Sequence, residues 1–340
     1  MKSAKLAGAT ALALVLLFAG GCAKKSTQSE APAVPDEPVD KGEKLFEEGK
    51  YDEARAYYGD VLQADSTDVN AIIHMGRIAL RQDDRDEAVE WMEKALVLAP
   101  DSSNVQYWAA TAYVVKLQKD NAFQLVDKVK THINKAVELD SSNVDARIFL
   151  AGFLLNAPPM VGGSVDKAKE QAGIIVKYDP YRGNLFWAEI YKKEKNFEKA
   201  AQSYEAAAAA APEKADPYYY LGMMYQGNER YDEAFAAFEK AVAVDPGATN
   251  ALYQIGRTGV LSGENLDRAV AALKKYLETD PSPGQPTPAN AHWRLGMCYE
   301  LMGELEKARA EFETALALDP DDENARQSLE NLGKTGTEGQ

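Results

Sequence analysis

The chain has 340 residues and carries 53 aspartates and glutamates against 38 lysines and arginines, a formal net charge of −15. An excess of that sign repels phosphate backbones and anionic lipid, which argues against nucleic acid or a charged bilayer as an electrostatic partner. Length alone suggests about two compact domains, and the only cysteines are Cys22 and Cys298.

At the N-terminus Lys2 and Lys5 precede an apolar run from Leu6 to Phe18, then Ala19-Gly20-Gly21 and Cys22. Charged, apolar and small residues in that order make a secretory signal (1–21), and the run falls short of the ~20 residues that span a bilayer. Small residues directly before a cysteine resemble the cleavage box of bacterial lipoproteins, although Ala19 stands where that family most often has leucine. The resemblance implies that Cys22 becomes an acylated (palmitate-bearing) first residue. Ala23 stands where an aspartate would, by resemblance to enterobacterial lipoproteins, signal inner-membrane retention. The expected location is therefore the outer membrane, facing the periplasm. A lipidated Cys22 leaves Cys298 without an intramolecular partner, and losing Lys2 and Lys5 makes the mature chain more acidic still. Residues 22–40 hold Pro32, Pro35 and Pro38 among polar residues and read as a flexible tether, about 25 Å across as a coil and about 60 Å stretched.

From residue 41 to 322 one helical pattern recurs. Residues 35–68 keep Gly42, Leu45, Gly49, Tyr51, Ala54 and Tyr58, with a first half eroded by prolines; residues 69–102 give Met75, Gly76, Ala88, Met92, Ala95 and Pro100. The next copy, 103–143, is longer by seven, which predicts a lengthened helix pair or a longer turn near Lys119–Asn121. The copy at 144–180 is interrupted by Ala157-Pro158-Pro159-Met160-Val161-Gly162-Gly163-Ser164. Regular copies return at 181–214, with Trp187, Ala188, Tyr191, Ala200, Tyr204 and Ala207, and at 215–248, with Leu221, Gly222, Tyr225, Ala234, Phe238 and Ala241. After the copy at 249–279 comes Asp280–Pro288, too proline-rich for a helix. Residues 289–322 then fit best, with Leu295, Gly296, Tyr299, Gly303, Ala308, Phe312, Ala315 and Pro320.

Those spacings resemble the 34-residue tetratricopeptide signature, a helix–turn–helix in which small residues sit where the two helices touch and large ones fill the gaps. The implied fold is all-α, a right-handed superhelical solenoid of about eight repeats with a capping helix near Asn324–Leu332 and a disordered tail from Gly333. Repeats that bury their apolar stripe against neighbours form one elongated array.

Chemistry is sparse. His74, His132 and His292 lie far apart without metal-ligand spacing, and Gly162-Gly163-Ser164 lacks the lysine of a phosphate-binding loop. Acidic runs such as Asp83–Glu87 sit at helix starts, where they cap and solvate. No cofactor, metal site or enzyme is expected, and Cys298 reads as a small core residue.

The resemblance places function on the concave surface lined by the first helix of each repeat. The fifth slot holds Tyr107, Tyr219, Tyr253 and Trp293, and the ninth holds Arg77, Met223, Arg257 and Met297. Aromatics offer rigid contact area, methionine adapts and arginine grips carboxylates, so this row is the candidate groove for a protein or peptide segment; the alternative is that some aromatics pack neighbouring first helices. The lysine–asparagine clamp of eukaryotic chaperone-binding relatives is absent, Ile73 with Arg77 and Tyr107 with Thr111 standing in its place. The expected role is a non-catalytic scaffold or adaptor in envelope assembly, secretion or pilus biogenesis. The loop with Pro158, Pro159, Gly162 and Gly163 resembles one in the TatT components of tripartite (TRAP) transporters, which implies a small-ligand-binding alternative.

Overall fold

The computed structural model describes residues 41–281 and 284–335. The signal, Cys22 and the tether lie outside those residues, as does the tail from residue 336. Among the described residues there are seventeen α-helices and no strand, and no helix is long and apolar enough to cross a membrane.

The helices come as eight consecutive pairs and a final single helix: α1 (Lys41–Glu47) with α2 (Tyr51–Ala64), α3 (Val69–Arg81) with α4 (Arg85–Leu98), α5 (Ser103–Asp120) with α6 (Val126–Leu139), and α7 (Val144–Asn156) with α8 (Val165–Tyr178). There follow α9 (Pro180–Lys193) with α10 (Phe197–Ala210), α11 (Asp216–Gly227) with α12 (Tyr231–Val244), α13 (Thr249–Ser262) with α14 (Leu266–Leu277), α15 (Pro288–Leu301) with α16 (Leu305–Leu318), and α17 (Glu323–Thr335).

Local chemistry starts and stops these helices. Asp68, Asp84 and Asn143 precede α3, α4 and α7, and each side chain accepts a backbone N–H of the first turn, at 2.8, 3.0 and 2.9 Å; such caps satisfy donors that the helix leaves unpaired. In six of the eight pairs a short turn runs through a left-handed residue just after the first helix, Gly49, Asp83, Lys195, Glu229, Gly263 or Gly303, with φ from +57° to +78°, and the turn at Gly263 adds a second, Asn265, at +54°. In five of these turns the next N–H reaches back to the last turn of the first helix, as Arg230 N does to Tyr225 O at 2.9 Å and Glu304 N to Tyr299 O at 2.8 Å. That is the Schellman way of ending a helix, and it reverses the chain tightly enough for the next helix to fold back.

Within each pair the signature residues interdigitate. Gly222 and Gly296 lie so close to the rings of Phe238 and Phe312 that an added Cβ would sit 2.6 and 2.5 Å from a ring carbon, and both rings are fully buried. Ala88, Ala95, Ala234, Ala241, Ala308 and Ala315 are buried where second helices meet their partners.

The described chain falls into two compact units at the repeat boundary between Asp179 and Pro180, a division that the periodicity does not announce. In the first unit α3, α5 and α7 touch in series; in the second α11, α13, α15 and α17 do so. The first helices therefore share a face in each unit.

Both irregular repeats have a physical account. Helix α5 runs to 18 residues, ends on left-handed Asn121 and is followed by a 3-10 turn, Phe123–Leu125, whose Phe123 is exposed; the extra length goes partly into helix and partly into turn. In the 157–164 loop a 3-10 turn (Pro159–Val161) leads to Gly162 at φ +109°, and Gly163 lies against the carbonyl of Ala157, leaving no room for a side chain. Ser164 then donates its N–H to Leu154 O and caps α8. The proline-rich stretch is shorter than expected at its far end. Pro288 is the first residue of α15, where its missing N–H costs nothing, and Thr287 and Asn290 form a capping box. The hydroxyl of buried Tyr276 donates to Pro286 O. Helix α17 continues to Thr335, so residues 333–335, expected in the tail, are helical.

Candidate partner-binding face

The row of fifth- and ninth-slot side chains divides sharply when placed on the helices. In the first unit Arg77 is consumed internally. Its two terminal nitrogens donate to the two oxygens of Glu43 at 3.0 and 3.1 Å, and its guanidinium lies between the rings of Phe46 (4.6 Å) and Trp108 (5.0 Å). It is a strut tying α3 to α1 and α5. Tyr107 is 6% exposed and meets Trp108 and Phe149 edge-on at 5.0 and 6.3 Å. Both therefore act as packing between first helices, set against the large rings of Phe46, Trp108 and Phe149.

The second unit keeps the face open. Tyr253, 7% exposed, belongs to the core beside Tyr276, and its hydroxyl accepts from Arg294 Nε at 2.6 Å. Tyr219, Met223, Trp293 and Met297 are half-buried against that core on α11 and α15. Tyr220 next to Tyr219 is exposed. Trp293 donates its indole N–H to Ser328 Oγ at 3.1 Å, so the final helix fixes the ring. Arg257 donates to Gln226 Oε1 at 2.6 Å, and Gln226 donates in turn to buried Thr258 at 2.8 Å. Burial pushes the Tyr219 phenol up from its ordinary value, against the pull of a hydrogen bond from Gln254 and the charge of Arg257. The result is a half-withdrawn aromatic and thioether surface on α11 and α15, with the guanidinium groups of Arg257 on α13 and Arg294 on α15 held in fixed positions. Gln226 and Arg294 were not in the sequence-derived row. Gln226 sits at the twelfth slot, which the family geometry also assigns to this face; Arg294 follows a fifth-slot residue and no slot rule selects it.

Elsewhere the pattern is structural. Cys298 is fully buried and its thiol is pushed up to about 12 by burial, so it stays protonated at neutral pH. His74 is stacked on Tyr58 at 4.4 Å, and no group of three or more potential metal ligands occurs among the described residues. The loop bearing Pro158, Pro159, Gly162 and Gly163 turns Met160 outward, 93% exposed. A cleft of about 560 Å³ in the second unit is walled by the turns around Lys195 and Arg230 and receives nothing from that loop.

Four segments, 45–112, 185–214, 215–247 and 289–322, match models described as tetratricopeptide repeat. These segments are tetratricopeptide repeats. Among curated proteins with related sequence, the peroxisomal targeting signal receptor of Candida albicans is 24% identical over 68% of this chain and 39% of its own length. Human DnaJ homolog subfamily C member 7 is 26% identical over 52% of this chain and 37% of its own. The chain thus spans about two fifths of the length of these relatives. Among solved structures, one titled as a functional characterisation of Pseudomonas aeruginosa pilF is 17% identical, with 66% of this chain and 97% of that chain covered, at a TM-score of 0.45. YrrB, described as a tetratricopeptide protein with an unusual peptide-binding site, is 21% identical, with 72% and 100% covered, at 0.38.

Proposed function

We propose that the chain is a non-catalytic, lipid-anchored adaptor that holds a segment of another protein on the first-helix face of its second unit, in envelope assembly, secretion or pilus biogenesis. The observation that supports this reading is the half-buried stripe of Tyr219, Met223, Trp293 and Met297 flanked by fixed arginines. Surfaces of that kind, aromatic and sulfur-containing with arginine beside them, are the ones from which protein interfaces draw their binding energy. The acidic surface keeps such a protein off nucleic acid, and the Cys22 box with its tether would hold the array at the periplasmic face of the outer membrane.

Two measurements test the two halves. A photo-crosslinking amino acid at Met297 should give discrete adducts with envelope proteins, lost when Trp293 is changed to alanine, while the same probe at exposed Val97 on α4 should give none; equal adducts from both positions would remove the face from consideration. Separately, Cys22→Ser should abolish labelling by a radioactive fatty acid and release the chain from the membrane fraction. A serine variant that is still labelled and still sediments with membranes would end the lipoprotein reading.

A further inference from the structure

At least six of the twelve arginines of this acidic chain pair with carboxylates. Arg55 pairs with Glu87, Arg77 with Glu43, Arg85 with Asp120, Arg230 with Glu233, Arg268 with Glu239 and Arg326 with Glu323. Arg257 and Arg294 depart from this pattern, as does Arg147 on α7 of the first unit, which donates to Ser141 O and Gln171 Oε1 at 2.6 and 2.7 Å; only Arg257 and Arg294 stand beside the aromatic and thioether stripe. Among the described residues neither has a carboxylate within ion-pair distance, and each is held by a neutral oxygen: Gln226 Oε1 at 2.6 Å for Arg257, Tyr253 OH at 2.6 Å for Arg294. Both are half-buried. Arg294 also lies over the rings of Tyr253 and Trp293, at 5.2 and 5.1 Å.

Withdrawing a guanidinium from water costs free energy that a neutral acceptor only partly offsets, and a carboxylate is the partner whose geometry matches its remaining donors. In a chain with fifteen more negative than positive charges, two neighbouring first helices, α13 and α15, nonetheless keep their cations unpaired on one face. The positions are also fixed in advance: Gln226 is anchored by Thr258, and Tyr253 is part of the core. A site that positions charge before its counter-ion arrives spends less binding energy on ordering.

We infer that this face takes an acidic protein segment, its carboxylates paired with Arg257 and Arg294 and its adjoining apolar side chain set against Trp293, Met297 and Met223. The inference rests on the adaptor reading and adds the chemistry of the partner. A free anion would use the arginines but not the apolar stripe; a neutral or basic segment would use the stripe but leave the two charges as they are.

The test uses the full chain and a display library of random peptides of about twelve residues, longer than the roughly nine an extended segment needs to cross three helices, presented with free and with amidated C-termini. Enriched sequences should carry aspartate or glutamate beside a bulky apolar residue; enrichment only with free termini would identify the chain-end carboxylate as the source. A fluorescein-labelled enriched peptide should bind at least about tenfold more weakly to the Arg257→Gln, Arg294→Gln double variant, as loss of charge-assisted pairs predicts. It should bind normally to Arg268→Gln, whose arginine serves Glu239 on the second-helix side. Raising salt from about 50 to about 500 mM should weaken wild-type binding several-fold, a readout that holds even if the double variant folds poorly. Enriched peptides without acidic excess, or binding indifferent to both salt and substitution, would overturn the inference. If such peptides still depend on Trp293, the adaptor face survives without its proposed charge selectivity. If nothing is enriched, or Trp293→Ala changes nothing, both readings fall. Competition by inorganic phosphate with no apolar preference among peptides would mark a small-anion site and also overturn it.

Discussion

Replacing helical glycines by alanine one at a time separates two effects that the structure sets against each other. In a helix interior the exchange is worth about 1 kcal/mol in favour of alanine. At Gly222 the new Cβ would meet Phe238 Cδ1 and Cε1 at 2.6 Å, and at Gly296 it would meet Phe312 Cε1 and Cδ1 at 2.5 and 2.6 Å. Carbon atoms rest about 3.5 to 4 Å apart, so each ring must retreat by about 1 Å from a fully buried position. Overpacking of this kind costs about 1–3 kcal/mol, and its upper half applies because a ring enclosed on all sides has no alternative rotamer. Gly222→Ala and Gly296→Ala should therefore lose about 1–2 kcal/mol net. Gly59 in α2 and Gly173 in α8 have nothing within 4 Å of the added atom, and there alanine should gain nearly its full propensity, about 0.5–1 kcal/mol. Urea unfolding followed by circular dichroism gives the ordering directly. Linear arrays need not unfold in one step, so midpoints rather than extrapolated free energies are the quantity to compare. Midpoints for Gly222→Ala and Gly296→Ala at or above wild type, with Gly59→Ala below it, would refute the packing account.

Cys298, with its thiol raised to about 12 by burial, should resist Ellman's reagent at pH 8 in the native chain and react within minutes in urea; rapid native labelling would show that α15 is not packed as described. Burial, then the charges of Lys128 and Lys135, hold His132 below its ordinary value, against a weaker opposing pull from Glu93. Unfolding thus takes up a proton, so the contribution of His132 is complete above about pH 6.5 and is lost as pH falls through its lower folded value. The urea midpoint should drop between pH 7 and 5, and less so in His132→Gln, which keeps a polar partner for Gln106; an identical drop in both would rule His132 out as the cause. Ending the chain after Asp319 removes α17, with buried Ala325 and Leu332 and the Ser328 acceptor of Trp293. Amide exchange should then quicken in α15 and α16 and stay unchanged in α9 and α10, since repeats feel only their neighbours.

Helix pairing was legible in the sequence because it depends on local spacing. Gly222 opposite Phe238 and Gly296 opposite Phe312 are single-repeat relations, and a 34-residue period exposes them. The division at Asp179 was not legible, since it depends on how many contacts cross one boundary and leaves no residue type behind. The candidate face was half legible. Slot positions found Trp293 and Met297 but could not tell that Tyr107 and Tyr253 are inside, because burial of a fifth-slot aromatic is decided by the neighbouring repeat. Arg77 and Arg257 occupy the same slot and differ in fate: Glu43 lies one repeat upstream of the first, whereas Gln226 meets the second. Arg294 was missed because its role depends on Tyr253, forty-one positions away.

In the six short turns the left-handed residue just after the first helix is glycine at 49, 263 and 303 but Asp83, Lys195 and Glu229 at the other three. An L-residue there carries roughly 1 kcal/mol of backbone strain that glycine avoids. Glycine at those three turns should therefore relieve about that much strain, less the freedom it adds to the unfolded chain. Lys195 and Glu229 are exposed, so the strain there can be relieved by glycine without touching the buried packing, whereas at Asp83 the same change also removes ion pairs to Arg85 and to Lys119 of the next repeat. At Lys195 and Glu229 the turn is thus a place where the stability of one repeat can be adjusted while the first-helix face stays as it is.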